Sequence, residues 1–548
     1  VSKLIFRNFF DFIKTNTKAD IKNQKKNAKS IKNRTEIIAN AKNKNSILFS
    51  IKKLENTEIT EYNSNILMNK KIDYENSLSN EQKRVLTSIK GQFLVIAGAG
   101  SGKTRTIVYR TSLLLELGIR PEKILMITFT KKAALEMKER VEELLNKKME
   151  NLEISTFHSF CARQITKEKN FFNIEKLNIL DEKTKYNKIK ELIEKHHIKK
   201  IKRIPFPSVK RVGELLNKEK FQDTSIENLL TDREKLYQME IFQVIAKYLE
   251  FKREYKLFEF DDLLDVFIEG MEKNENFRNT IQEKYEYIVV DEYQDSNIQQ
   301  RKLLKNLVGN NGNLMVVGDD YQSIYGFRGA NFENILRFSE DFPKSRLIKL
   351  ETNYRSTDEI IKYCNKISKR FLLSYNKIAK GIGKTSSYPY IYSFKTKEKE
   401  ARFIREKIAN LLASGIKIDD IAILYRNKFV VIHILKELEK NNIKYYLKKT
   451  EDTNDDTNNT LSNDDENKDK LTVLSVHSSK GLEWDYVFMP AMLEGIFPSG
   501  DTQDIIEEEK RLYYVGCSRA KSTLYLTYPE FFYEKTGFYS IKSRFLEY

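Results

Sequence analysis

The stretch "FLVIAGAGSGKT", residues 93–104, restricts the fold of this chain more than any other. "FLVIA" reads as a fully buried strand, a loop of small residues follows, and "TRTIVYRTSLLLELG" after it has helical spacing with a Gly stop. Strand, loop and helix form the context that the pattern G-x-x-x-x-G-K-[ST] requires. "AGAGSGKT" (Ala97, Gly98, Ala99, Gly100, Ser101, Gly102, Lys103, Thr104) is therefore a candidate phosphate-binding loop. Small residues keep Cβ atoms clear, so the backbone N–H groups of Gly100, Ser101, Gly102 and Lys103 can face phosphate oxygens beside the positive end of the helix. In this reading Lys103 holds the β- and γ-phosphates and Thr104 a Mg2+ ion.

Such a loop needs a sheet behind it. Further short apolar runs occur at "ILMIT" (124–128), "YIVVD" (287–291), "LMVVGD" (314–319), "IAILY" (421–425), "LTVLSV" (471–476), "YVFMP" (486–490) and "LYLTY" (524–528), with helical patterns between many of them. That alternation predicts an α/β fold with mostly parallel sheets. Residues 161–258 break it, being charged, amphipathic and poor in strand runs, and read as a helical insertion. "YIVVDEYQD" ends an apolar strand in an acidic pair, which puts Asp291 on the metal shell and Glu292 near the water that attacks a γ-phosphate. Hydrolysis also needs positive charge that arrives with the transition state. Arg355 in "ETNYRST" and Arg519 in "EEEKRLYYVGCSRAK" are the candidates. Both fall beyond the first α/β unit, which should end near 345. If they complete the site, hydrolysis is coupled to the separation of two domains.

Composition narrows the setting. At 548 residues, 40% hydrophobic and 11% aromatic, the chain can build several sizeable cores. Cys161, Cys364 and Cys517 are far apart, which suits a reducing compartment. His158, His477 and Cys161 have no CxxC or HxxxH spacing that would argue for a metal centre. No apolar run is long enough to span a membrane, and the Phe-rich start is broken by charge too often for a signal segment, so a soluble cytoplasmic protein is expected. Half of the net charge of +18 comes from residues 1–70, with fifteen Lys/Arg against six Asp/Glu. Two readings stay open for this extension: a basic arm that adds phosphate affinity, or a tail biased to Lys, Asn and Ile without a role of its own. Against this basic background "EDTNDDTNNTLSNDDENKDK", residues 451–470, holds eight acids and almost nothing to bury, and reads as a disordered tether.

The motifs also occur in a familiar order. "LSNEQKRVL" (78–86), "AGAGSGKT", "TFTKKAALEMKER" (128–140), "STFHSF" (155–160), "DEYQD", "VGDDYQSIYGFRGA" (317–330), "LETNYRS" (350–356), "VHSSKGLEWDYVF" (476–488) and "EEEKRLYYVGCSRAK" (507–521) resemble the motif set of Rep/UvrD/PcrA-type superfamily 1A DNA helicases. The resemblance covers residues 75–545. It implies two RecA-like motor domains, ATP hydrolysis with Mg2+ at their cleft, and 3′ to 5′ movement on single-stranded DNA and at junctions with duplex, in repair or replication restart. Carried over residue by residue, it puts Gln82 on adenine, Tyr354 stacked on the base and Arg105 beside it. It makes Gln322 a sensor of the γ-phosphate that Arg355 and Arg519 contact, sets Glu483 near the ribose, and gives His477 and Lys480 to the element that links nucleotide to DNA. Phe129, Phe157, Tyr325 and Phe327, with His158 beside them, would form the DNA track. Rings on loops suit that task, because stacking on an aromatic is worth about 1–3 kcal/mol per base whatever the sequence.

Two departures stand out. Position 327 is Phe where relatives usually carry Trp. In the large relatives a helical 2B subdomain follows a segment like "IAILYRNKFVVIHILKELEKNNIKYYL" (421–447), whereas here that segment runs straight into the acidic string. The expected organisation is an extension over 1–72, a first motor domain over 73–160 and 259–345, the insertion over 161–258, a second motor domain over 346–450 and 471–548, and the acidic linker over 451–470 in place of 2B. Three functions follow: a helicase, a translocase that strips proteins but barely unwinds, or a DNA-binding regulator with an idle nucleotide site.

Overall fold

The computed structural model describes residues 43–196, 201, 204–222, 225–326, 329–447, 469–534 and 537–547. Their strands, in chain order, are β1 (Gln92–Ala97), β2 (Ile124–Ile127), β3 (Glu153–Ser155), β4 (Asn178–Ile179), β5 (Leu257–Phe258), β6 (Tyr287–Val290), β7 (Asn313–Gly318), β8 (Arg346–Leu350), β9 (Tyr390–Thr396), β10 (Ile421–Tyr425), β11 (Tyr445–Leu447), β12 (Leu471–Ser475), β13 (Trp484–Met489), β14 (Ala520–Glu534) and β15 (Gly537–Tyr539). All eight apolar runs of the sequence are strands. They belong to two RecA-like lobes.

The first lobe is a parallel sheet in the order β3-β2-β6-β7-β1-β8. Successive residues serve opposite faces, as a pleated strand requires. Leu94, Ile96, Leu125, Ile127, Ile288 and Val290 line one core, while Phe93, Val95, Ile124, Met126 and Val289 line the other. The register pairs Ile96 with Gly318 and Ile127 with Val290, so β1, β2, β6 and β7 end together along one edge. Loops at the carboxyl ends of parallel strands are where such sheets bind ligands. The second lobe has the order β11-β12-β10-β13-β14, with β9 beside β14 and β15 antiparallel to the far end of β14.

Three expected segments can be compared with the packing. Of the extension over 1–72, residues 1–42 lie outside the described residues. The part that is described packs on the first lobe: a helix over 43–55 lays Ile47, Ile51 and Leu54 into its core, and the N–H of Ile59 donates to the carbonyl of Leu347 on β8 at 2.8 Å. Burying those apolar side chains is what draws the segment in. The insertion has its own core of residues such as Ile189, Val212, Leu215, Ile241 and Val244, beginning at Leu180. Cys161 and Ile165, at the start of the span expected for it, pack in the first lobe. The short pair β4 and β5 ties the two ends of the insertion together. The acidic string lies outside the described residues apart from Asp469 and Lys470. On either side of it β11 and β12 are parallel neighbours, with Tyr445 opposite Leu471. Among the described residues no helix is long and apolar enough to cross a membrane.

A carboxyl group is buried inside the second lobe. Glu400, on the helix Lys397–Ala413, accepts hydrogen bonds from the N–H of Ala491 at 3.0 Å and the hydroxyl of Thr527 at 2.6 Å. Burial outweighs these two bonds and pushes its carboxyl up to about 7. The folded state thus binds a proton that the unfolded chain, titrating near 4.5, has released. Stability from this group is present below pH 4.5 and is lost as pH rises through 7. Glu400→Gln should therefore raise the melting temperature by several degrees at pH 8 and change it little at pH 4.5, as read by thermal unfolding at the two pH values.

Candidate active site at the interlobe cleft

The loop after β1 is held from both lobes. Its Gly98 N–H donates to the carbonyl of Leu350 at 3.1 Å, the side chain of Asn353 donates to the carbonyl of Ala99 at 2.8 Å, and the N–H of Tyr354 donates to the carbonyl of Gly100 at 2.9 Å. Gly100 and Gly102 both have left-handed backbones, with φ +68° and +77°. A Cβ on Gly100 would lie 2.7 Å from the Cβ of Arg355. Glycine is therefore needed at 100 for conformation and for close approach. Lys103 and Thr104 open the helix Lys103–Glu116, whose N-terminus faces the loop.

Opposite the loop stands the acidic pair after β6. Glu292 has φ +52°, an uncommon backbone for a residue with a side chain and a frequent mark of functional sites. Its carboxylate lies 3.6 Å from the ammonium of Lys103 and 4.0 Å from that of Lys480. Burial and the adjoining Glu292 hold Asp291 well above the carboxylate range. Burial acts on Glu292 in the same sense, but Lys103 and Lys480 overcome it and hold that carboxylate low. The side chain of Gln294 reaches Glu292 on one side, and on the other accepts the N–H of Asp319 at 2.9 Å.

The second lobe closes the cleft with cations. Arg519 is buried, and its guanidinium donates to the side-chain oxygen of Gln322 at 2.9 Å, to the carbonyl of Leu482 at 3.2 Å and to the carbonyl of Val515 at 3.0 Å. Burial and the nearby Arg355 pull it down to about 9. Arg355 donates to Glu483 at 2.5 Å and to the carbonyl of Ser518 at 3.1 Å. Lys480 donates to Asp295 at 2.5 Å and to the carbonyl of Gln322 at 2.8 Å, and sits 5.0 Å from the centre of the Tyr325 ring. That ring stacks on Phe129 with centroids 5.6 Å apart and planes within 8°. The outer ring, Phe129, is 39% exposed.

The UvrD/REP helicase N-terminal domain matches residues 78–343, and the UvrD-like helicase C-terminal domain matches 348–454 and 448–530. The chain belongs to the UvrD/REP helicase family. ATP-dependent DNA helicase PcrA of Staphylococcus aureus (strain Mu50) is 34% identical over 377 residues, 68% of this chain and 51% of that protein. PcrA of Staphylococcus epidermidis (strain ATCC 12228) is 34% identical over 376 residues, with the same shares. The chain spans about half the length of these curated relatives.

Against the UvrD/REP pattern, the structure brings Lys103, Asp291, Glu292, Gln322, Arg355, Arg519, Glu483 and Lys480 to one cleft. Gln82 lies beside the loop, but its amide is engaged within the protein: it donates to the carbonyl of Ser101 at 3.2 Å and accepts from the N–H of Ser79 at 3.1 Å. Arg105 donates to the carbonyl of Ser77 at 3.0 Å and lies over the ring of Tyr109. Tyr354 is half-buried. His477 begins the turn after β12. Phe157, expected on the DNA track, is only 7% exposed and belongs to the core of the first lobe, because it is the first residue of a helix whose apolar side faces the sheet. His158, one residue on, is partly exposed and bonded to Asp261 at 3.1 Å. Phe327 lies outside the described residues. Asn353, Gln294, Asp295 and Asp319 also line the cleft and were not among the residues expected there. Asp319 carried the same signal as Asp291, an acid directly after an apolar strand.

The two glycines that flank Ala99 give a test. Gly98→Ala would bring its Cβ no nearer than 3.8 Å to the carbonyl of Leu350 and should leave the melting temperature almost unchanged. Gly100→Ala combines a clash with a left-handed backbone that alone costs about 1–2 kcal/mol, and should lower it measurably.

Proposed function

We propose that this chain is a DNA-dependent ATP hydrolase that moves along single-stranded DNA, 3′ to 5′, driven by opening and closing of the cleft. The observation that carries the reading is the contact of Arg519 in the second lobe with Gln322 in the first, beside the Lys103–Glu292 pair. Positive charge from one lobe thus reaches the loops after β6 and β7 of the other, where Glu292 pairs with Lys103. The direction of travel rests on the family resemblance.

In this mechanism the N–H groups of residues 100–103 and the ammonium of Lys103 receive the phosphates. Asp291 and Thr104 present hard oxygen donors, a set that fits Mg2+, which when bound neutralises charge on the β- and γ-oxygens. Glu292, held ionised by its two lysines, accepts a hydrogen bond from the attacking water and orients it. Arg355 and Arg519 offer guanidinium groups to the γ-phosphate. Both are anchored in the second lobe, so phosphate charge draws the lobes together and its loss lets them part. Lys480 touches Asp295 and the Tyr325 ring at once, so a change at the acids is felt at the stacked pair where a DNA base would lie.

A second reading, a translocase that displaces proteins with little unwinding, is favoured by the β11 to β12 pairing. Only residues 448–470 intervene, too few for a subdomain. Strand-displacement and streptavidin-displacement assays on one preparation separate the two.

Phosphate release should rise on adding single-stranded DNA and vanish in Lys103→Ala. A wild type with no such stimulation would leave only the idle-site regulator. Phe129→Ala should weaken single-strand binding by roughly 5- to 150-fold, the loss of one stacking interaction, with the salt slope unchanged. Fluorescence anisotropy over a salt series measures both quantities.

A further inference from the structure

We propose that Lys377 is a positioning residue of the nucleotide site, fixing the Asp319 carboxylate so that Gln322 can present only one orientation to Arg519. The proposal rests on the ATP-hydrolysis reading given above. Lys377 lies in no motif. It sits on a strap, residues 369–384, that follows the second-lobe helix Asp358–Ser368 and crosses back to the first lobe. Its side chain is 4% exposed, donates to Asp319 at 2.6 Å and to Asp320, and lies 3.6 Å from the centre of the Tyr321 ring.

Asp319 is a node. One carboxylate oxygen accepts Lys377 and the N–H of Tyr321 at 3.1 Å, and the other accepts the side-chain amide of Gln322 at 2.7 Å. A carboxylate can only accept and a guanidinium can only donate. Gln322 must therefore turn its NH2 to Asp319 and its oxygen to Arg519, 2.9 Å away. A protonated or displaced Asp319 would remove that constraint. The backbone N–H of Asp319 separately donates to Gln294, which reaches Glu292, and that contact does not depend on the carboxylate that Lys377 fixes.

The alternative role for Lys377 is to pin the strap. The strap is already pinned without it. Tyr375 is fully buried in the first-lobe core, its N–H donates to Asp320 at 2.9 Å and its hydroxyl donates to the carbonyl of Ile335 at 3.1 Å. The side chain of Arg511 donates to the carbonyl of Leu373 at 3.2 Å. What Lys377 adds to that anchoring is the cation in direct contact with both acids, with Lys103 acting on Asp319 from further off. Asp319 and Asp320 are consecutive buried carboxylates, and burying them without a cation is strongly unfavourable. Burial raises Asp319 and lowers Lys377, yet each partner's charge reverses the effect on the other.

The test compares wild type, Lys377→Met, Lys377→Arg, Gln322→Ala and the Lys377→Met/Gln322→Ala double variant. DNA-stimulated ATP hydrolysis is measured together with the affinity for fluorescent ADP, with and without beryllium fluoride as a γ-phosphate mimic. Lys377→Met should lower kcat at least tenfold with KM for ATP within twofold, shrink the affinity gain from beryllium fluoride at least fivefold, and be largely rescued by Lys377→Arg. In the Gln322→Ala background the same substitution should cost less than twofold, because its route to the site is already cut. Equal fold losses in the two backgrounds, or an unchanged kcat, would overturn the proposal. If Lys377→Met does not melt cooperatively, Lys377→Gln takes its place under the same criteria. A wild type that binds nucleotide without hydrolysing it would sink the ATPase reading, while the beryllium fluoride ratio would still decide the role of Lys377.

Discussion

The cleft is organised by buried charge that neither lobe can balance alone. Asp291, Glu292, Asp295, Asp319 and Asp320 all come from loops at the carboxyl ends of first-lobe strands. Of the cations among them only Lys103 is native to that lobe. Lys377, Lys480 and Arg519 arrive from beyond β8. An isolated buried carboxylate costs far more than a paired one, so the two lobes are held face to face by mutual need rather than by apolar contact alone. The same arrangement makes the cleft responsive. Any anion that enters competes for the cations that now satisfy protein acids, and each exchange changes how firmly the lobes are held.

The backbone around this charge is correspondingly constrained. Gly100 approaches Arg355 too closely for a side chain, and Glu292 adopts a left-handed conformation that aims its carboxylate across the cleft at Lys103. Both departures occur where two segments distant in sequence meet. Strain of about 1–3 kcal/mol at such a residue persists only when the surroundings fix it. Here the fixing groups are Asn353 on the loop and Gln294 on the acid.

Much of this was legible in the sequence because it is local. A buried strand declares itself by four or five consecutive apolar residues, and every such run found its place in one of the two sheets. The edge strands β3 and β9 did not stand out: "EIS" is too short, and "YIYSFKT" alternates between half-buried and exposed positions. β8 escaped because "RLIKL" carries charge at two of its five positions. Loop chemistry at strand ends was readable for Asp291 and Lys103, since each sits beside its own strand. Phe157 was misread for the opposite reason. Its motif suggested a DNA contact, whereas its side of the helix is set by a sheet that the local sequence does not reveal. Lys377 and Asn353 were invisible because their meaning lies in partners 56 or more residues away.

Lys480 likewise joins groups that lie far apart in the sequence. Lys480 satisfies Asp295 and the carbonyl of Gln322 while its charge lies near the face of Tyr325, and it is close enough to Glu292 to help hold that acid ionised. A cation over an aromatic face contributes about 0.5–2 kcal/mol, and more as water is excluded. Moving Lys480 toward or away from the acids therefore alters the ring that stacks on Phe129. Because Lys480 belongs to the second lobe and Phe129 to the first, shifting one lobe against the other moves the ammonium relative to the stacked rings. On the proposed roles of Glu292 and of the Phe129–Tyr325 pair, coupling needs no long relay, because the acid and the ring share a single ammonium.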